Sequence, residues 1–104
     1  MDGEKRQDPR SIAVTEVGFD HKGMHYHGRI NDLSHGGLYI DTINPLPEGS
    51  VISFQFSLPG DESGSPISGE GRVVWMAHMQ GMGIEFTRLS DDDRDRLRAY
   101  LSRS

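Results

Sequence analysis

Residues 51–58 read Val-Ile-Ser-Phe-Gln-Phe-Ser-Leu: Ile52, Phe54, Phe56 and Leu58 alternate with Val51, Ser53, Gln55 and Ser57. A period of two marks a strand with one buried face and one wet face, because successive side chains of an extended chain point to opposite sides. Such strands belong to antiparallel sheets, since parallel sheets are covered on both faces and read as unbroken apolar runs.

Outward from this stretch, five further segments are rich in β-branched and aromatic residues: 12–19, 24–33, 37–40, 67–78 and 81–86. The links between them are short and hold Gly, Pro, Asn, Asp and Ser at residues 20–23, 34–37, 44–50, 59–66 and 79–81. The expectation is a mainly all-β chain, a six-stranded antiparallel barrel in which adjacent strands pair as hairpins. Phe54, Phe56, Phe86, Tyr39 and Trp75 are its expected aromatic core.

The period changes after residue 89. Ser90 followed by Asp93 reads as a capping box, with Leu89 as a hydrophobic staple and Asp91, Asp92 and Asp93 at the positive end of a helix dipole. Leu97, Tyr100 and Leu101 then give a narrow apolar stripe of a short C-terminal helix, whose arginines are expected to face water. Residues 1–11 show no periodicity and include Pro9, so they read as a flexible arm ahead of one domain over 12–104.

Composition excludes several classes of function. The chain has 104 residues, enough for one apolar core, and no cysteine, which removes disulfides, zinc-thiolate sites and thiol nucleophiles. No stretch approaches the roughly 20 apolar residues of a membrane span, and the opening Met-Asp-Gly-Glu-Lys-Arg is too polar for a signal peptide. A cytoplasmic protein without membrane insertion is expected. The net charge of −5 argues against a polynucleotide partner, and no basic stripe supports the reading as an RNA-binding barrel. The charge is uneven, however. Lys5, Arg6 and Arg10 balance Asp2, Glu4 and Asp8 at one end, and Arg94, Arg96, Arg98 and Arg103 balance Asp91, Asp92, Asp93 and Asp95 at the other. A small anion bound by a few well-placed arginines remains compatible with that surface.

Two motifs stand out. Arg6-Gln7-Asp8-Pro9-Arg10 is an RxxxR just before the first strand, and Asp32-Leu33-Ser34-His35-Gly36-Gly37 is a DxSxxG between the second and third. Alone, the first reads as a solvated basic tail and the second as a turn in which Asp and Ser bond local backbone. Together, in this order and at this separation, they resemble the paired signature of the PilZ family. Residues 71–86 resemble that family's late hairpin, and the closing helix falls where its members carry one.

The resemblance implies a receptor for the second messenger cyclic di-GMP, with Lys5, Arg6, Arg10, Asp32, Ser34, Gly36 and Gly37 as ligand-binding residues. It implies no catalysis and no cofactor, and a protein partner in motility, adhesion or exopolysaccharide machinery. The chemistry agrees. Each guanine offers O6 and N7 acceptors on one edge, which a guanidinium fork meets with two hydrogen bonds, and the same fork fits a phosphate or stacks on a base. Asp32 is suited to guanine N–H donors and Ser34 to fixing the loop or reaching the ligand, while Gly36 and Gly37 allow positive φ and close backbone approach. A basic residue at Lys5 favours two stacked ligand molecules over one. The competing reading is a family member that binds no nucleotide and serves as a protein-interaction adaptor.

The remaining candidates are weaker. His25 and His27 lie two apart on one strand with His21 nearby, but no third ligand is spaced to complete a metal site, and solvated histidines are expected. Neither a Ser-His-Asp order nor a phosphate loop with its lysine is present.

Overall fold

The computed structural model describes the backbone of residues 10–11 and the whole of residues 15–58 and 65–102. Seven strands precede one helix: β1 (Arg10–Ser11), β2 (Thr15–His21), β3 (Met24–Ser34), β4 (Gly37–Asp41), β5 (Val51–Phe56), β6 (Ile67–Ala77), β7 (Gly81–Leu89) and α1 (Asp91–Ser102). All ladders are antiparallel, in the order β1-β3-β2-β5-β6-β7-β4, and β4 pairs back onto β3. The six long strands therefore form the expected closed barrel, with β1 added alongside the end of β3.

The period-two reading of residues 51–58 holds at every position. Ile52, Phe54, Phe56 and Leu58 are buried, whereas Val51, Ser53, Gln55 and Ser57 are exposed. They join Val17, Phe19, Ile30, Leu33, Ile40, Val73 and Ile84 in one core. Phe54 stacks with Phe56 at 6.0 Å between ring centroids and tilts against Phe86 at 5.4 Å. Phe86 is only partly buried yet packs on that core.

Not every pair of consecutive strands forms a hairpin. β4 does not pair with β5, because its two edges are taken by β3 and β7, and those of β5 by β2 and β6. The link between them holds Pro45 and Pro47, which lack a backbone donor, and crosses the end of the barrel instead. Leu46 is buried there, and its backbone N–H points at the Sδ of Met82 at 3.4 Å.

The helix starts as the capping box requires, with the backbone N–H of Asp93 donating to Ser90 Oγ at 3.1 Å. Leu97 and Leu101 are buried against the barrel. Arg94 and Arg98 are exposed, but Arg96 departs from the expected solvated position. Its guanidinium donates to Asp93 Oδ1 at 3.0 Å and to the Ser65 carbonyl, while Asp93 also accepts from the Ser68 N–H at 3.2 Å. Arg96 and Asp93 thus join the helix to the start of β6. Among the described residues, no helix is long and apolar enough to cross a membrane.

Candidate functional site

The DxSxxG residues lie where β3 hands over to β4. Asp32 pairs with Tyr39 and Leu33 with Leu38, so only His35 and Gly36 lie between the two strands. The bend is fixed locally, with Ser34 Oγ donating to the Gly37 carbonyl at 3.2 Å and the Phe86 N–H donating to the Gly36 carbonyl at 2.9 Å. On its other edge β3 carries β1, in a register that sets Arg10 opposite Ser34 and Ser11 opposite Leu33. The backbone of the second motif arginine is thereby held beside the second motif's serine. Lys5 and Arg6 lie outside the described residues.

The two glycines act differently from expectation. Neither Gly36 nor Gly37 has a positive φ; among the described glycines that conformation is confined to Gly23 and Gly49. Gly37 is required by proximity, because a Cβ there would run into the backbone carbonyl of Ile84 on β7. Gly36 faces open space, so no steric demand acts on it. The turn is built from ordinary backbone angles, and the left-handed freedom of glycine goes unused.

A groove of about 410 Å³ opens from this bend across the outer face of β4 and β7 towards β6. Asp32, Ser34, Gly36 and Gly37 line one side, Tyr39 the floor, and Val74 and Glu85 the far side. Glu85 accepts a hydrogen bond from Arg72 at 2.8 Å, which offsets one negative charge at the rim. Burial, and secondarily the Asp41 carboxylate, raise the Tyr39 hydroxyl above its ordinary value, so the phenol keeps its proton further into the alkaline range.

Trp75 corrects the sequence reading. Counting by twos from buried Val73 sends its side chain inward, yet it is 49% exposed. The cause is a bulge: Val73 pairs with Ile84 but Trp75 pairs with Gly83, which leaves Val74 as an extra residue. Trp75 consequently turns outward and rests beside Tyr39, with ring centroids 5.8 Å apart. Tyr39 is likewise only partly buried and belongs to the outer face. Three consecutive β-forming residues, Val73, Val74 and Trp75, were the one sequence signal that strict alternation fails here. A second bulge at Asn31 sits just before Asp32, between the pairs Ile30–Ile40 and Asp32–Tyr39.

The histidines form a separate group. His25 Nδ1 lies 2.6 Å from Asp20 Oδ1, and the His25 and His27 rings meet edge to face at 4.7 Å, all in exposed positions. Among the described residues, no three metal-ligating side chains converge.

Comparison with known proteins bears on the whole chain. No curated protein matches it. Similar solved structures include the Bacillus subtilis inhibitor of motility MotI/DgrA, with a TM-score of 0.81 and 20% identity over 96% of this chain. Others are the PilZ domain of CeSA from a cellulose-synthesizing bacterium, with a TM-score of 0.66 and 18% identity over 89% of this chain and 94% of its own length. The third is Borreliella burgdorferi PlzA in complex with c-di-GMP, with a TM-score of 0.69 and 17% identity over 93% of this chain. The chain spans only 51% of MotI/DgrA and 41% of PlzA. At these identities the likeness is one of fold, but the model of the PilZ domain matches residues 4–103, and the chain therefore belongs to the PilZ family.

Proposed function

We propose that this chain is a cytoplasmic receptor for cyclic di-GMP, which it holds between the RxxxR arm and the bend at Asp32–Gly37 and does not transform. The observation that carries the reading is the β1–β3 register: the backbone of Arg10 lies opposite Ser34 although 24 positions part them in sequence (34 − 10), which supports a site shared by the two motifs. The groove beside the bend supports it by offering a wall of mixed polarity next to an aromatic floor, as a purine dinucleotide requires.

In this reading Arg6 and Arg10 meet guanine edges or phosphates with their guanidinium forks, and Asp32 accepts from guanine N–H groups. Ser34, already bonded to the Gly37 carbonyl, holds the bend, and Gly36 leaves its open side to the ligand. Ordering the arm takes back part of the binding energy and changes the surface shown to a partner, so the signal is a shift in population and no reaction occurs. The partner belongs to motility, adhesion or exopolysaccharide machinery. MotI/DgrA, an inhibitor of motility, and the PilZ domain of CeSA from a cellulose-synthesizing bacterium fall within that range.

Isothermal titration with cyclic di-GMP tests the proposal. Wild type is expected to give saturable heat, and Arg10→Ala and Asp32→Ala are each expected to weaken binding by about 1.5–3 kcal/mol, roughly tenfold to a hundredfold. The same titration reads stoichiometry, where two molecules per chain accord with the role given to Lys5. Wild type silent at tens of micromolar would leave the protein-interaction adaptor as the function.

A further inference from the structure

Four of the six large apolar side chains exposed on the described surface lie on the β6–β7 hairpin or beside its turn. They are Val74 and Trp75 at 49% each, Met79 at 74% and Ile43 at 70%. Val74 and Trp75 stand on β6 and Met79 in the β6–β7 turn, and Ile43 follows Thr42, whose N–H donates to the Gln80 carbonyl of that turn at 3.1 Å. Isolated exposed apolar residues are ordinary, but a group of this kind marks a contact surface.

Two further observations identify what covers it. Residues 73–84, Val-Val-Trp-Met-Ala-His-Met-Gln-Gly-Met-Gly-Ile, contain no Asp, Glu, Lys, Arg or Pro, in a chain that is 26% charged. This stretch also includes an open strand edge. The β5 ladder stops at Val51–Arg72, and residues 49 and 50 reach β6 only at Val73, through Gly49 N–H to the Val73 carbonyl at 2.7 Å and Val73 N–H to the Ser50 carbonyl at 2.9 Å. Among the described residues, nothing pairs with residues 74–77 on the side away from β7. Strand edges that must stay single are usually blunted by Lys or Pro, and this one has neither.

We propose that the hairpin is a self-association surface, on which two copies of the chain pack β6 and β7 about a two-fold axis and bury Val74, Trp75 and Met79 against their mates. Two molecules of net charge −5 repel each other, so they meet with least cost where neither presents a charge. A two-fold contact uses the same patch on both partners and must be self-complementary. An uncharged apolar hairpin meets that condition, and antiparallel pairing of one edge with its own copy satisfies both. Because Val74 also borders the groove beside Asp32, association and groove occupancy share a residue.

Sedimentation velocity of the full chain across a concentration series, without nucleotide, tests this independently of the proposed ligand. A dimer is expected to grow with concentration, accompanied by a blue shift in the emission of Trp75, the sole tryptophan. Val74→Lys sets two like charges across the axis and Met79→Asp does so at the turn; each is expected to weaken association roughly tenfold or more. Both side chains are exposed, so far-ultraviolet circular dichroism should remain that of wild type. A monomer at every concentration up to the solubility limit overturns the proposal, as does a dimer that both charged variants leave intact.

Discussion

The ladders of this barrel fall into two groups. β2 with β3, β2 with β5 and β5 with β6 run without a break in register. The β3–β4 ladder breaks at Asn31, and the β6–β7 ladder breaks at Val74 and again at Thr87. Both irregular ladders flank the β4–β7 pair that floors the groove. The regular half shows what alternation alone achieves, a sheet whose inner residues all serve the core. The bulged half shows how a strand escapes it, since one extra residue moves the following side chain to the other face where the strand locally bends. Asp32 follows one such insertion and Trp75 another, so the bulges define the outer surface as much as the inner.

The largest expected effect separates an inward aromatic of the regular half from an outward one of the bulged half. Phe54→Ala, at 3% exposure, should cost about 3–5 kcal/mol in urea unfolding. Trp75→Ala should cost only about 1 kcal/mol, the scale of an exposed aromatic pair. Equal losses would erase the distinction between the two strands.

A smaller contrast lies within the bend. Gly37→Ala forces a Cβ against the Ile84 carbonyl and should cost about 1–3 kcal/mol, the range for overpacking. Gly36→Ala, facing open space, should stay within about 0.5 kcal/mol. The reverse order in thermal or urea unfolding would mean that the turn depends on flexibility at residue 36 and not on clearance at residue 37.

The smallest effect concerns Tyr39 on the groove floor. Its raised pKa means that the folded chain keeps the phenolic proton longer than the unfolded chain. That contribution is complete below the ordinary value of 10.0 and is lost as pH rises through the higher folded value. Tyr39→Phe should therefore lose stability less steeply than wild type above that point. Parallel slopes in an alkaline series of urea midpoints would remove Tyr39 as a source of pH dependence.

The legible parts of the sequence were those governed by local rules. The strand over 51–56 follows from the pleat, and the helix start at Ser90 from its orphan N–H groups. The DxSxxG bend was visible through its turn residues, and the structure keeps Asp32, Ser34, Gly36 and Gly37 on one groove. What escaped was set by partners distant in sequence. That β4 would pair with β7 depends on barrel closure, and nothing in residues 44–50 encodes it beyond two prolines. Trp75 was assigned to the core because a bulge depends on the partner strand, and its partner at that point is Gly83. The fit of Gly37 against Ile84 was hidden for the same reason, being a contact across 47 positions (84 − 37).

The pairing of β3 with β4 that completes the ring has a mechanical meaning. Apart from the edge at residues 74–77, the described strands leave no slit to widen when something settles on the wall, and prying one open would break a ladder of backbone hydrogen bonds. Under the proposed function, the effect of a ligand is carried by the coat: by side chains around the groove and by what the outer wall then touches.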